Sequence, residues 1–66
     1  MILNQSKVAV AMARKGMDKT QLAKAAGVSR NRMYVILNSR TITPMVAGKL
    51  ASALDVDVTD ILETEN

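Results

Sequence analysis

The sequence predicts an all-α fold, a compact bundle of five short helices. Three observations support this prediction. Apolar residues recur at three- and four-residue spacings, as on one face of a helix. Ala, Leu, Met, Lys and Gln dominate the composition, and these residues favour helices over strands. A residue able to cap a helix precedes most of the apolar series, and Gly or a polar residue follows.

The first helix is predicted to run from Asn4 or Gln5 to Lys15. Gly16 follows the basic last turn and is a favourable helix stop. The inward face of this helix is formed by Val8, Ala11 and Met12. This spacing is that of an amphipathic helix packed on one side only.

The second helix is predicted from about Lys19 to Ala26. Asp18 stands three residues before Gln21, so the two can form a capping box. Gly27 ends the helix, because glycine takes the left-handed conformation without strain. The residues expected to point inward are Leu22, Ala23 and Ala26.

The third helix is predicted over about Arg30 to Leu37, with Ser29 as its cap. Asn38 is the residue expected to end it in a left-handed conformation. Its inward face carries Met33, Ile36 and Leu37. The opposite face is polar and basic.

Two further helices complete the predicted bundle. Thr43 caps the fourth, Pro44 suits its first position, and the apolar spacing continues to about Leu54. Asp57 caps a short fifth helix, expected over Val58 to Glu63. One domain therefore spans residues 1–66, with its core over about 5–62 and a frayed tail at 64–66.

Charge divides the chain into two parts. Residues 1–54 hold nine basic residues and one acidic residue, a net charge of +8, whereas residues 55–66 hold five acidic residues and no basic one. This split favours a body that binds a polyanion. The chain has no Cys and no His, so we expect no metal site, catalytic residue, cofactor or small-molecule ligand. No leader-like segment or run of roughly 20 apolar residues is present, which favours a cytoplasmic protein outside the membrane.

The spacing of small and apolar residues over residues 18–37 predicts a helix-turn-helix. Ala23 allows two helices to cross closely, and Gly27 begins the turn four residues later. The third helix would then present its polar face to the major groove of double-stranded DNA. The residues expected to contact bases are Arg30, Asn31, Tyr34 and Val35. Those expected to contact the DNA backbone are Lys19, Ser29, Arg32, Asn38, Arg40 and Thr41. Within the first set, Tyr34 also suits a phosphate contact or partial packing, because duplex DNA offers no unstacked base.

Three stretches resemble the phage repressor and Cro type of helix-turn-helix domain, also called the xenobiotic-response-element type. They cover residues 18–30, 36–40 and 48–62. The resemblance implies a lambda-repressor-like bundle that binds a palindromic operator as a homodimer and represses transcription. It also implies base contacts at Arg30, Asn31 and Val35. Lys19 stands where the family often has a phosphate-binding Gln, and Leu37 and Ser39 stand where many relatives have Glu and Gly.

The C-terminal apolar residues are the candidates for a two-fold interface, since so small a core cannot bury all of them. They are Val56, Val58, Ile61 and Leu62. The alternative to a repressor is an antitoxin-like protein-interaction module that also binds DNA. Non-specific nucleic-acid packaging would favour more Lys, and an enzyme is disfavoured because a nucleophile, a base and metal ligands are missing.

Overall fold

Four α-helices form in the predicted order, and the computed structural model describes them within residues 1–63. They are α1, Gln5–Lys15; α2, Lys19–Ala26; α3, Arg30–Asn38; and α4, Pro44–Leu54. A single 3-10 turn, Val58–Asp60, follows α4. No strand forms among residues 1–63, which confirms the all-α class.

Each α-helix begins after a polar cap residue, and for α2, α3 and α4 it is the residue that the sequence predicts. Asp18 and Gln21 form a capping box at α2: the Gln21 N–H donates to Asp18 Oδ1 at 2.8 Å, and the Asp18 N–H donates to Gln21 Oε1 at 2.9 Å. The side chains of Asn4, Ser29 and Thr43 accept a backbone N–H at the starts of α1, α3 and α4. These caps satisfy donors that the first turn of a helix leaves unpaired.

The helix ends agree with the sequence only in part. Gly16 and Gly27 are left-handed, with φ of 64° and 74°, as predicted. The prediction of a left-handed Asn38 is wrong, because Asn38 is the last residue of α3. Instead Ser39 is extended, and its hydroxyl donates to the Val35 carbonyl at 2.6 Å, so a Ser hydroxyl occupies an end carbonyl that a left-handed residue would otherwise help to satisfy.

The fifth predicted helix is wrong in type and length: it is the 3-10 turn Val58–Asp60 rather than a helix reaching Glu63. Its cap is correct, since Asp57 accepts from the Thr59 N–H and hydroxyl, both at 2.9 Å. These two donors lower the pKa of the Asp57 carboxyl below its usual range. The cap therefore stabilises the turn at neutral pH and is lost as acidification passes that lowered pKa.

Backbone pairing with the N-terminal segment is what stops the fifth helix. The Asn4 N–H donates to the Ile61 carbonyl and the Glu63 N–H donates to the Ile2 carbonyl, both at 2.9 Å. On its other side the same segment pairs with the loop after α3, where the Leu3 N–H donates to the Arg40 carbonyl at 2.8 Å. Residues 1–4 thus lie between two loops, an arrangement that no local pattern predicts.

The core is made of apolar side chains from every element. In the described part of the chain no polar or charged side chain is buried. The largest fully buried side chains are Leu22, Met33, Leu50, Leu54 and Ile61. In this core α2 packs against both α3 and α4, and the 3-10 turn packs against α1 and α4. As a result α3 is held mainly through α2, and its outer face remains free.

Gly48 lies inside a helix, and no close contact requires a glycine there. It lies within α4 on the exposed side, and a Cβ added there meets nothing within 4 Å. Gly48→Ala should therefore raise the free energy of unfolding by about 0.5–1 kcal/mol, because alanine loses less backbone entropy in a helix. Urea unfolding measures this, and a lower midpoint for Gly48→Ala would show that the space around residue 48 is not open.

Candidate nucleic-acid interface

The outer face of α3 is exposed, as the sequence predicts. Met33, Ile36 and Leu37 fix the inner face in the core. The exposed side chains of the helix are Arg30, Asn31, Arg32, Tyr34, Val35 and Asn38. Val35 is 56% exposed and Tyr34 is 38% exposed. Val35 is thus an exposed apolar side chain on a helix whose other exposed groups are guanidinium, amide and phenol. This helix belongs to the part of the chain that carries the net positive charge.

A short hinge between α2 and α3 sets the direction of this face. Ala23, the small residue at the contact, is 3% exposed. Gly27 ends α2, and the next N–H, that of Val28, donates to the Ala23 carbonyl at 3.0 Å. Ser29 then caps α3 by accepting the N–H of Arg32 at 3.1 Å. Three residues therefore reverse the chain between two helices that pack on each other, which is a helix-turn-helix.

The start of α2 lies close to the middle of α3. Lys19, the first residue of α2, places its Nζ 5.3 Å from the centroid of the Tyr34 ring. Lys19 and Ser29, both predicted to contact the DNA backbone, are exposed at the starts of consecutive helices. Helix starts carry free N–H groups and a partial positive charge, so these positions suit phosphate.

The loop after α3 exposes two more of the predicted residues. Arg40 and Thr41 are exposed, while Ile42 next to them is buried. The N-terminal segment holds this loop, since Ile2 and Thr41 form an antiparallel bridge. Arg40 and Thr41 therefore have a fixed backbone and free side chains.

Arg32 lies on the other flank of α3. Its side chain borders a groove that Met45 and Lys49 of α4 also line. Lys49 is exposed and Met45 is 71% exposed. Lys49 and Met45 lie outside the helix-turn-helix spacing and were not predicted. Only the packing of α4 brings them beside Arg32.

A third residue outside the predicted set, Gln5, contacts the end of α3. The Gln5 side-chain amide donates to the Leu37 carbonyl at 2.8 Å. The last carbonyls of a helix lack intrahelical partners, so this bond completes the end of α3. The sequence offers no signal for it, since Gln5 and Leu37 lie on different helices.

Residues 7–66 match the Cro/C1-type HTH DNA-binding domain. The chain belongs to this family. No curated protein and no solved structure gives a significant match.

Membership of the Cro/C1-type family confirms the resemblance found in the sequence, and it implies DNA binding by a domain that is not an enzyme. In this Cro/C1-type domain none of the helices within residues 1–63 is long and apolar enough to cross a membrane.

Of the four residues predicted for a two-fold interface, the structure buries two and leaves two half-buried. Ile61 is fully buried and Leu62 nearly so, both in the core of this one chain. The free surface at this end of the Cro/C1-type domain comes from Val56 and Val58, which are half-buried. The reason is the pairing of residues 61–63 with the N-terminal segment, which turns Ile61 and Leu62 inward. Val10 on α1, 52% exposed, lines a depression together with Val56 and was not predicted.

Proposed function

We propose that this Cro/C1-type domain binds double-stranded DNA sequence-specifically as a homodimer on a palindromic operator and represses transcription. The observation that supports this most is the outer face of α3, which is exposed over its whole length while the inner face is locked in the core. An α-helix fits the major groove, and its first turns approach the base edges. The exposed side chains of α3 suit that position.

The proposed base contacts follow from side-chain chemistry. Arg30 has the paired donors that match O6 and N7 of guanine, and Asn31 has the donor and acceptor that match adenine. Val35, one turn further on, offers methyl groups to a thymine methyl. Tyr34 lies between them in the chain and borders the same face.

The proposed backbone contacts surround this set. They come from Lys19, Ser29, Arg32, Asn38, Arg40 and Thr41. Lys19 and Ser29 lie at helix starts, whereas Arg40 and Thr41 lie in the loop beyond the end of α3. Phosphates on the two sides of one groove are the partners that this distribution suits, and such contacts fix the register of a protein on DNA.

A homodimer is proposed through a surface that no residue of α3 lines. Val10 and Val56 share a depression that Lys7, Arg14 and Asp60 also line. An apolar centre with basic and acidic groups around it can match itself across a two-fold axis. Val58, in the same 3-10 turn as Asp60, is the other half-buried apolar residue of the predicted interface. Two copies joined there would place their α3 helices on successive turns of DNA, about 34 Å apart.

Val10→Glu tests this interface. Since Val10 is 52% exposed, the change should leave the fold intact while placing a carboxylate in the apolar contact. We expect the dimer to dissociate at least about tenfold more readily in sedimentation equilibrium, a loss of about 1.4 kcal/mol. Ala25→Glu, at an exposed position of α2, is the charge-matched control. Equal self-association of both variants would place the interface elsewhere.

The experiment for the proposed function is selection of bound duplexes from a random pool, followed by competition with random duplex at rising salt. A sequence-specific domain should enrich one palindromic consensus and keep binding it at salt concentrations that release random duplex. Enrichment of no consensus, with equal loss of both duplexes as salt rises, would contradict sequence-specific binding. A single half-site bound by one chain would contradict the homodimer alone.

A further inference from the structure

The contact between Lys19 and Tyr34 joins two side chains that the sequence assigns to different tasks. Lys19 Nζ lies 5.3 Å from the ring centroid of Tyr34, within the range of a cation–π interaction. Tyr34 is the only aromatic residue of the chain, so no other ring of the same molecule can make this contact. The contact crosses from the start of α2 to the middle of α3.

The surroundings of Lys19 show where its side chain lies. It borders a depression between α1 and α3 that Gln5, Met12 and Asn38 also line. Asn38 follows Tyr34 by one helical turn, so Lys19 lies along the edge of the α3 face. An ammonium group has three N–H donors and contacts the ring on one side only, which leaves donors for a phosphate oxygen.

Tyr34 itself is poorly suited to recognising a base. The bases of duplex DNA are stacked, so its ring has no free base to stack against. At 38% exposure the ring is already partly covered. Its exposed surface is therefore better explained by the cation beside it than by a base.

We propose that Tyr34 is a positioning residue for Lys19: its ring holds the Lys19 ammonium at the edge of the α3 face, ready for a DNA phosphate. This inference rests on the proposed function. A free lysine loses much rotamer freedom when it is fixed on a partner, and ordering it in advance lowers that cost. Tyr34 then contributes to affinity without contributing to base preference.

The contact can be tested first in the free protein by NMR. Because one ring is present, an upfield shift of the Lys19 ε-methylene protons reports Tyr34 alone. The shift should persist in Tyr34→Phe, which keeps the ring, and disappear in Tyr34→Leu. If wild type shows no shift, the ring does not hold the lysine and the proposal is wrong, whatever the protein does with DNA.

A double-mutant cycle with Lys19→Met then tests the consequence for binding. Tyr34→Leu should weaken binding by about two- to fivefold on the selected duplex and on random duplex alike. Tyr34→Phe should bind like wild type. In the Lys19→Met background Tyr34→Leu should have no further effect. Lys19→Met should also lower the salt slope by about one. Lys24→Met, at an exposed position of the same helix, is the matched control for the loss of one positive charge.

Three results of the binding experiments would also overturn the proposal. Additive effects of Tyr34→Leu and Lys19→Met would show that the two side chains act separately. A changed base preference in Tyr34→Leu would make Tyr34 a base contact, and the proposed function would stand. Wild-type protein that binds no duplex would overturn this proposal and the proposed function together.

Discussion

Gly27→Val should lower the free energy of unfolding by about 2 kcal/mol, the usual cost of forcing a branched residue into the left-handed region. Gly27 has φ of 74°, and a Cβ added there meets nothing within 4 Å. The cost is therefore backbone strain rather than crowding. In a domain of this size the melting temperature should fall by about 10 °C.

The same substitution should also impair binding, because residue 27 sets the angle at which α3 leaves α2. Gly16→Val is the matched control: Gly16 has φ of 64° and equally open space, but it ends α1 outside the helix-turn-helix. Both variants should lose similar stability. Measured below both melting temperatures, DNA affinity should fall in Gly27→Val and stay near wild type in Gly16→Val. A normal melting temperature for Gly27→Val would show that residue 27 does not need a left-handed backbone.

The parts of the fold that the sequence predicts well are those that depend on near neighbours. Asp18 and Gln21 are three residues apart and form a capping box, and Gly27 ends α2 through its own left-handed backbone. The buried face of α3 follows from its spacing alone, and so does the exposed face opposite to it. Local chemistry is sufficient for the helix-turn-helix and for the exposed face of α3.

The errors arise where distant segments meet. The helix predicted to reach Glu63 is a 3-10 turn, because the backbone at 61–63 pairs with residues 2–4 instead of continuing a helix. The same pairing buries Ile61, which the spacing left free for a two-fold contact. A sequence pattern measures distance along the chain and cannot detect that these ends meet.

At the candidate site the division is similar. Arg30 and Asn31 were predicted from one helix, and their exposure needs nothing beyond that helix. The Lys19 contact with Tyr34 depends on how α2 lies across α3. Local rules also failed at the end of α3, because Asn38 and Ser39 are both able to end a helix. In the structure Ser39 ends it, and its hydroxyl donates to the Val35 carbonyl.

Arg30→Ala and Asn31→Ala should each reduce binding of the selected duplex by about 1–3 kcal/mol, or roughly five- to 150-fold. Both side chains lie in the first turn of α3, where a helix in the major groove comes closest to the bases. Each variant should in addition lose preference at one position of the consensus while keeping the others. Because both residues are exposed, the melting temperatures should change little.

The control for Arg30→Ala must separate base recognition from loss of one positive charge. Lys15→Ala provides it, since Lys15 is exposed in the last turn of α1, outside the helix-turn-helix, and does not line the depression proposed for the dimer. It should weaken binding of every duplex slightly and leave the consensus unchanged. If Arg30→Ala behaved like Lys15→Ala, and Asn31→Ala kept the wild-type consensus, α3 would not recognise bases, and the face it exposes would serve only to attract the DNA backbone.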